Sequence, residues 1–67
     1  VDITIGKQYR NKKHGTLYQV LGFTVHSETT EILVTYERVE PEYRNHNDIP
    51  WSRPIELFRE KFEEVTA

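Results

Sequence analysis

The run His26-Ser27-Glu28-Thr29-Thr30-Glu31 sets an imidazole, a hydroxyl and a carboxylate side by side. These are the ingredients of nucleophilic acyl transfer, in which an imidazole takes the hydroxyl proton and is itself held by the acid. The spacing argues against that chemistry. Neighbouring residues on an extended strand point to opposite faces, so His26 and Ser27 diverge, and no G-x-S-x-G elbow surrounds Ser27. The same residues suit a turn, because their hydroxyls, or Glu28, accept hydrogen bonds from the free amides of a bend. His26 keeps a place among the candidates as a ring at a strand end. There it meets either a ligand or a main-chain carbonyl. A small hydrolase using His26 has the least support, since so short a chain has little with which to exclude water.

Trp51-Ser52-Arg53 is the more informative group. Residues two apart share a strand face, so an indole and a guanidinium stand together. The first offers a flat stacking surface and the second a fork for carboxylate or phosphate. A core tryptophan and an arginine paired with Glu56 or Glu28 account for the same residues, and the sequence leaves both readings open. Tyr36 and Tyr43 are candidate walls of such a site, Tyr43 from a polar loop. Tyr18 and Tyr36 also read as half-buried cross-strand partners. The candidate ligand set is therefore His26, Ser27, Glu28, Tyr36, Tyr43, Trp51 and Arg53. His14, His26 and His46 lack the close spacing of a metal site and no cysteine accompanies them. No metal and no cofactor are expected.

A second group is basic. Residues 1–27 carry Lys7, Arg10, Lys12 and Lys13 against Asp2, whereas residues 28–67 carry five basic and ten acidic side chains. Lys7, Arg10, Lys12 and Lys13, with Tyr9 as aromatic support, form a candidate nucleic-acid surface; a solvated basic turn is the plainer account. The net charge of −2 weighs against nucleic acid as the first choice.

Sixty-seven residues make one domain near the lower limit for folding without staples, and there are no cysteines to supply any. Eight aromatics compensate, since each buries more area than an aliphatic. No apolar run is long enough for a membrane span or a signal-peptide core, so a cytoplasmic protein is expected.

The elements that must position these groups follow from pattern. Gly6 to Arg10 is a short run anchored by Tyr9, and Asn11 to Gly15 is a turn. Leu17 to Val25 is the strongest strand, with Leu17, Leu21, Phe23 and Val25 on one face and Tyr18, Val20 and Thr24 on the other. Gly22 marks a bulge or bend within it. Ile32 to Glu37 completes an antiparallel hairpin, residues 39–49 form a long loop, and Ile49 to Arg53 is an edge strand. Pro54 stands where a helical turn begins. Positions 55, 58, 62 and 65 fit one helix, but Phe62 to Val65 fits a closing strand equally well. Together these describe a mainly β fold, a small SH3-like barrel spanning 1–67 with a short C-terminal helical turn or helix.

Three motifs carry a resemblance: V-L-G-x-x-x-H-S-E-T at Val20 to Thr29, L-V-x-Y at Leu33 to Tyr36, and W-x-R-P-x-x-x-F at Trp51 to Phe58. They resemble the domain of unknown function 1653 family of small bacterial and phage proteins, over Tyr9 to Lys61. The resemblance implies an SH3-like barrel and no assigned activity. Asn11 stands where that family usually has histidine, the 39–49 loop is longer, and the usual basic, proline-containing tail is absent. That absence reads as a truncated or divergent member. The expectation is a non-catalytic module binding a small anionic or planar ligand, or a partner's peptide segment, at the barrel rim. Nucleic-acid association and a structural role in an assembly are the alternatives, and no membrane partner is expected.

Overall fold

The computed structural model describes residues 3–40 and 49–65. Five strands and one helix follow in order: β1 (Gln8–Asn11), β2 (Leu17–Val25), β3 (Ile32–Arg38), β4 (Trp51–Pro54), α1 (Ile55–Lys61) and β5 (Phe62–Glu64). All pairings are antiparallel, and the sheet order is β4-β3-β2-β1-β5. Tyr43 and His46 lie outside the described residues, as does most of the expected 39–49 loop. Among the described residues no helix is long and apolar enough to cross a membrane.

The mainly β class with a short C-terminal helix holds, but the sheet is not closed into a barrel: β4 and β5 are its two edges. The SH3-like expectation is thus met only roughly. The sheet nevertheless curls. Flat, its edges would stand about 19 Å apart at four strand spacings, yet the Arg53 guanidinium of β4 lies 5.5 Å from the Phe62 ring centroid of β5. The gap is filled by α1, whose Phe58 is 1% exposed and stacks on Phe62 at 4.3 Å with the rings 5° from parallel. The core joins Ile3, Tyr9, Val20, Val34, Tyr36, Phe58 and Phe62, drawn from four strands, the helix and the N-terminal segment.

The helix stops at Lys61 although Phe62 and Val65 continue its apolar period. Backbone pairing decides the matter. Phe62 takes an extended conformation at φ −125°, β5 pairs with β1, and the amides of Lys12 and Val65 donate to Lys61 and Gln8 carbonyls at 2.9 and 3.0 Å. Of the two readings of residues 55–65, the turn followed by a closing strand is the one adopted.

The expected faces of β2 need correction. Register shifts between Val20 and Gly22, so Leu21 is the extra residue of a β-bulge beside the glycine that suggested one. A bulge reverses the alternation beyond it. Phe23 therefore joins Val20 against the core while Leu21 is exposed, where strict alternation placed Leu21 and Phe23 together.

Candidate binding site at one end of the sheet

The β2–β3 turn is built from hydrogen bonds, not catalytic contacts. His26 Nδ1 accepts from the Glu28 amide at 3.1 Å and more loosely from Thr29 at 3.4 Å, and the Thr29 hydroxyl accepts from the Glu31 amide. The imidazole serves main-chain amides, not the carbonyl expected of it. Ser27 and Glu28 are exposed. Thr30 takes the left-handed conformation at φ 61° to close the bend.

The second turn repeats the device. Asn11 Oδ1 accepts from the amides of Lys13 and His14, at 2.9 and 3.0 Å, two and three residues on. Gly15, at φ 74°, supplies the left-handed residue that ends it. Asn11 and His26 thus each present one acceptor atom to the amides two and three residues downstream.

These turns lie at opposite ends of the sheet. Trp51 pairs with Tyr36, and Pro54 with Leu33. The indole is therefore about four residues, or about 13 Å, along β3 from the turn that holds His26, Ser27 and Glu28. The structure does not bring those three residues to Trp51 and Arg53. It brings the other turn there instead, because Tyr18 of β2 pairs with Arg38 and Asn11 with Phe62.

Trp51 and Arg53 do share a face. Both line an open concavity of about 390 Å³ with Tyr18, Tyr36 and Arg38. Ser52, between them, projects to the other face, where its hydroxyl meets that of Thr35 at 3.1 Å. The indole is 37% exposed. It stacks on Tyr36, centroids 6.3 Å apart and planes 27° from parallel, and stands nearly perpendicular to Tyr18 at 6.0 Å. Tyr18 is in turn edge-on to Tyr36 at 5.3 Å. The Arg38 guanidinium lies 5.9 Å from the Tyr18 centroid, a separation at which a cation is held by the ring face. Burial pushes the Tyr36 phenol above its ordinary range, and the Arg53 guanidinium partly opposes that rise. Among the described residues no carboxylate forms an ion pair with Arg53.

Arg38 and Tyr18 are the additions to the predicted set. The signal for Arg38 lay in a repeated spacing, since Tyr36-Glu37-Arg38 and Trp51-Ser52-Arg53 both read aromatic-x-arginine, whereas Tyr18 reaches the site through strand register, opposite Arg38. Because β3 and β4 are antiparallel with Tyr36 opposite Trp51, the two guanidinia extend from either side of one aromatic pair. This arrangement can grip a flat group between anion-binding forks.

Of the basic group, Lys7 is engaged elsewhere. Its Nζ meets Glu64 Oε1 at 3.0 Å, and that hydrogen bond, reinforced by charge, raises the lysine pKa. Tyr9 is 5% exposed, its hydroxyl accepting from the Thr4 amide, so it belongs to the core and not to a surface. Arg10 lines a separate hollow with His14, Arg38 and Glu40. Lys12 and Lys13 line a concavity of about 560 Å³ that shares Tyr18 and Arg53 with the aromatic one. Among the described residues no group of three or more His, Asp or Glu is placed to hold a metal ion.

No curated protein and no solved structure matches this chain. A family model does, over residues 7–66, and it covers all three motifs. The chain belongs to the family described as Protein of unknown function (DUF1653).

Proposed function

We propose that this domain is a non-catalytic binding module whose ligand is planar and anionic, of the nucleotide class. One observation carries the reading: the doubled aromatic-x-arginine pattern sets Arg38 and Arg53 about a half-exposed indole in an open concavity. The indole and Tyr18 provide ring faces and edges for stacking, worth about 1–3 kcal/mol per base where such contacts have been truncated. The guanidinia provide forks for phosphate or carboxylate. The floor is fixed by ring packing, so little ordering accompanies binding.

Trp51 is the only tryptophan, so its fluorescence reports on the site alone. Titration with uridine or thymidine monophosphate should change that emission, and calorimetry on Arg53→Ala should show affinity about tenfold or more lower, as expected for a lost charge-assisted hydrogen bond. An unchanged emission up to millimolar nucleotide, or wild-type affinity in both Arg53→Ala and Trp51→Ala, would refute the proposal.

A further inference from the structure

We infer that the ligand is a single-stranded nucleic acid, its base seated on the aromatic concavity and its backbone running onto a lysine shelf built by the β1–β2 turn and the end of α1. This rests on the proposed function and specifies its ligand. The Lys12 amide donates to the Lys61 carbonyl at 2.9 Å, which ties the turn to the helix end and sets Lys12, Lys13 and Lys61 around one hollow. That hollow borders the aromatic one, with Tyr18 and Arg53 lining both.

Charge complementarity selects the occupant. Among the described residues, the two concavities together are lined by Lys12, Lys13, Lys61, Arg38 and Arg53 and by one carboxylate, Glu60. Four other described carboxylates lie elsewhere: Glu28 and Glu31 at the opposite turn, Glu64 on Lys7, and Glu56 on Arg59. A lone nucleotide uses one or two cations, whereas this row continues past the base site. A ring platform beside a cationic track is the arrangement by which sequence-tolerant single-strand binders hold stacked bases and phosphates together. A duplex would hide its base faces from the indole.

The test uses the whole chain with oligothymidylate and oligouridylate of about eight nucleotides, within the span that small single-strand binders cover. Thymidine monophosphate and an oligoglutamate of matched charge are the comparators, and binding is followed by Trp51 emission and calorimetry. Either oligonucleotide should bind about tenfold or more tighter than the mononucleotide. The combined Lys12→Gln, Lys13→Gln, Lys61→Gln variant replaces only exposed side chains. It should flatten the slope of log K against log salt by about 2, since each single-strand phosphate contact contributes about 0.7, while mononucleotide affinity stays within about twofold. A preference for the ribose or deoxyribose strand, with the lysine effect retained, supports the inference and names the strand. Equal affinity for mononucleotide and oligonucleotide, with the lysine variant indistinguishable from wild type, overturns the inference and leaves the aromatic site standing. Oligoglutamate binding as tightly as the oligonucleotide overturns the assignment to nucleic acid. No response of Trp51 to any of these ligands overturns both readings.

Discussion

Replacing Phe58 by alanine tests whether α1 is the plug of this fold or an ornament on its edge. Phe58 is 1% exposed, stacks on Phe62, and lies 5.3 Å, ring to ring, from both Tyr9 and Tyr36. Truncating a buried phenylalanine costs about 3–5 kcal/mol. A domain of this size holds about 3–10 kcal/mol in all, at 0.05–0.15 kcal/mol per residue. The substitution should therefore take most of the stability, leaving a chain that is largely unfolded or melts far below wild type. Leu57, the preceding residue on the same helix, is 43% exposed, and its alanine variant should stay within about 0.5 kcal/mol. Phe58→Leu is the gentler core variant and remains folded for comparison. Guanidinium melts followed by far-UV circular dichroism provide the measurement. Equal losses for Phe58→Ala and Leu57→Ala would mean that the helix phase, and with it the closure of the sheet by α1, is wrong.

The Tyr36 phenol, raised above its ordinary 10.0 by burial, keeps its proton in the folded chain at a pH where the unfolded chain has released it. Stability then falls as pH climbs past about 10, and its contribution is whole below that value. Lys7, held above 10.5 by its hydrogen bond to Glu64 and by that charge, acts in the same direction, so Tyr36→Phe should lessen the alkaline loss of urea midpoint without abolishing it; an unaltered slope refutes the assignment. The shared turn device predicts that Asn11→His and His26→Asn keep stability within about 0.5 kcal/mol, while alanine at either position costs about 1 kcal/mol by leaving two amides without their acceptor. Thermal melts in which the asparagine–histidine exchange at either position costs as much as alanine would sink that equivalence. Thr30→Gly should stabilise the domain by several tenths of a kcal/mol, the left-handed strain of a β-branched residue outweighing the extra freedom of the unfolded glycine chain; a lower melting temperature would refute it.

Strand positions were legible where local pattern and tertiary demand agree. β2 has the predicted ends, Leu17 and Val25, because branched and aromatic residues fill it and turn residues bound it. β3 extends one residue further than expected, to Arg38, the residue that proved to matter. Periodicity alone left 55–65 open, and the answer lies in residues far away in sequence, the amides and carbonyls of β1 that pair with β5. The bulge defeated the face assignment, because Gly22 announces an irregularity without saying which neighbour is extruded. Nothing near Gly22 would obstruct a side chain, and its φ is not positive; the glycine marks the bulge more than it causes it. The candidate site was half legible. Spacing placed Trp51 beside Arg53, but only strand register could separate both from His26 and join them to Lys12 and Lys13.

The site and the core of this domain are one set of rings. Tyr36 is 4% exposed and belongs to the buried cluster, yet it carries Trp51 on its face and lines the concavity. In so short a chain there is no separate layer on which to build a binding floor, so the outermost rings of the core serve as one. The gain is rigidity: Tyr18 and Tyr36, braced edge-to-face, hold the indole in place before any ligand arrives, Tyr36 by stacking and Tyr18 edge-on. The cost is that Trp51, Tyr36 and Tyr18 cannot be cut away without also loosening the fold. Loss of binding in those variants alone would not separate recognition from stability. Arg53 and the three shelf lysines can be altered with less harm to the core, and recognition should be judged by their effects.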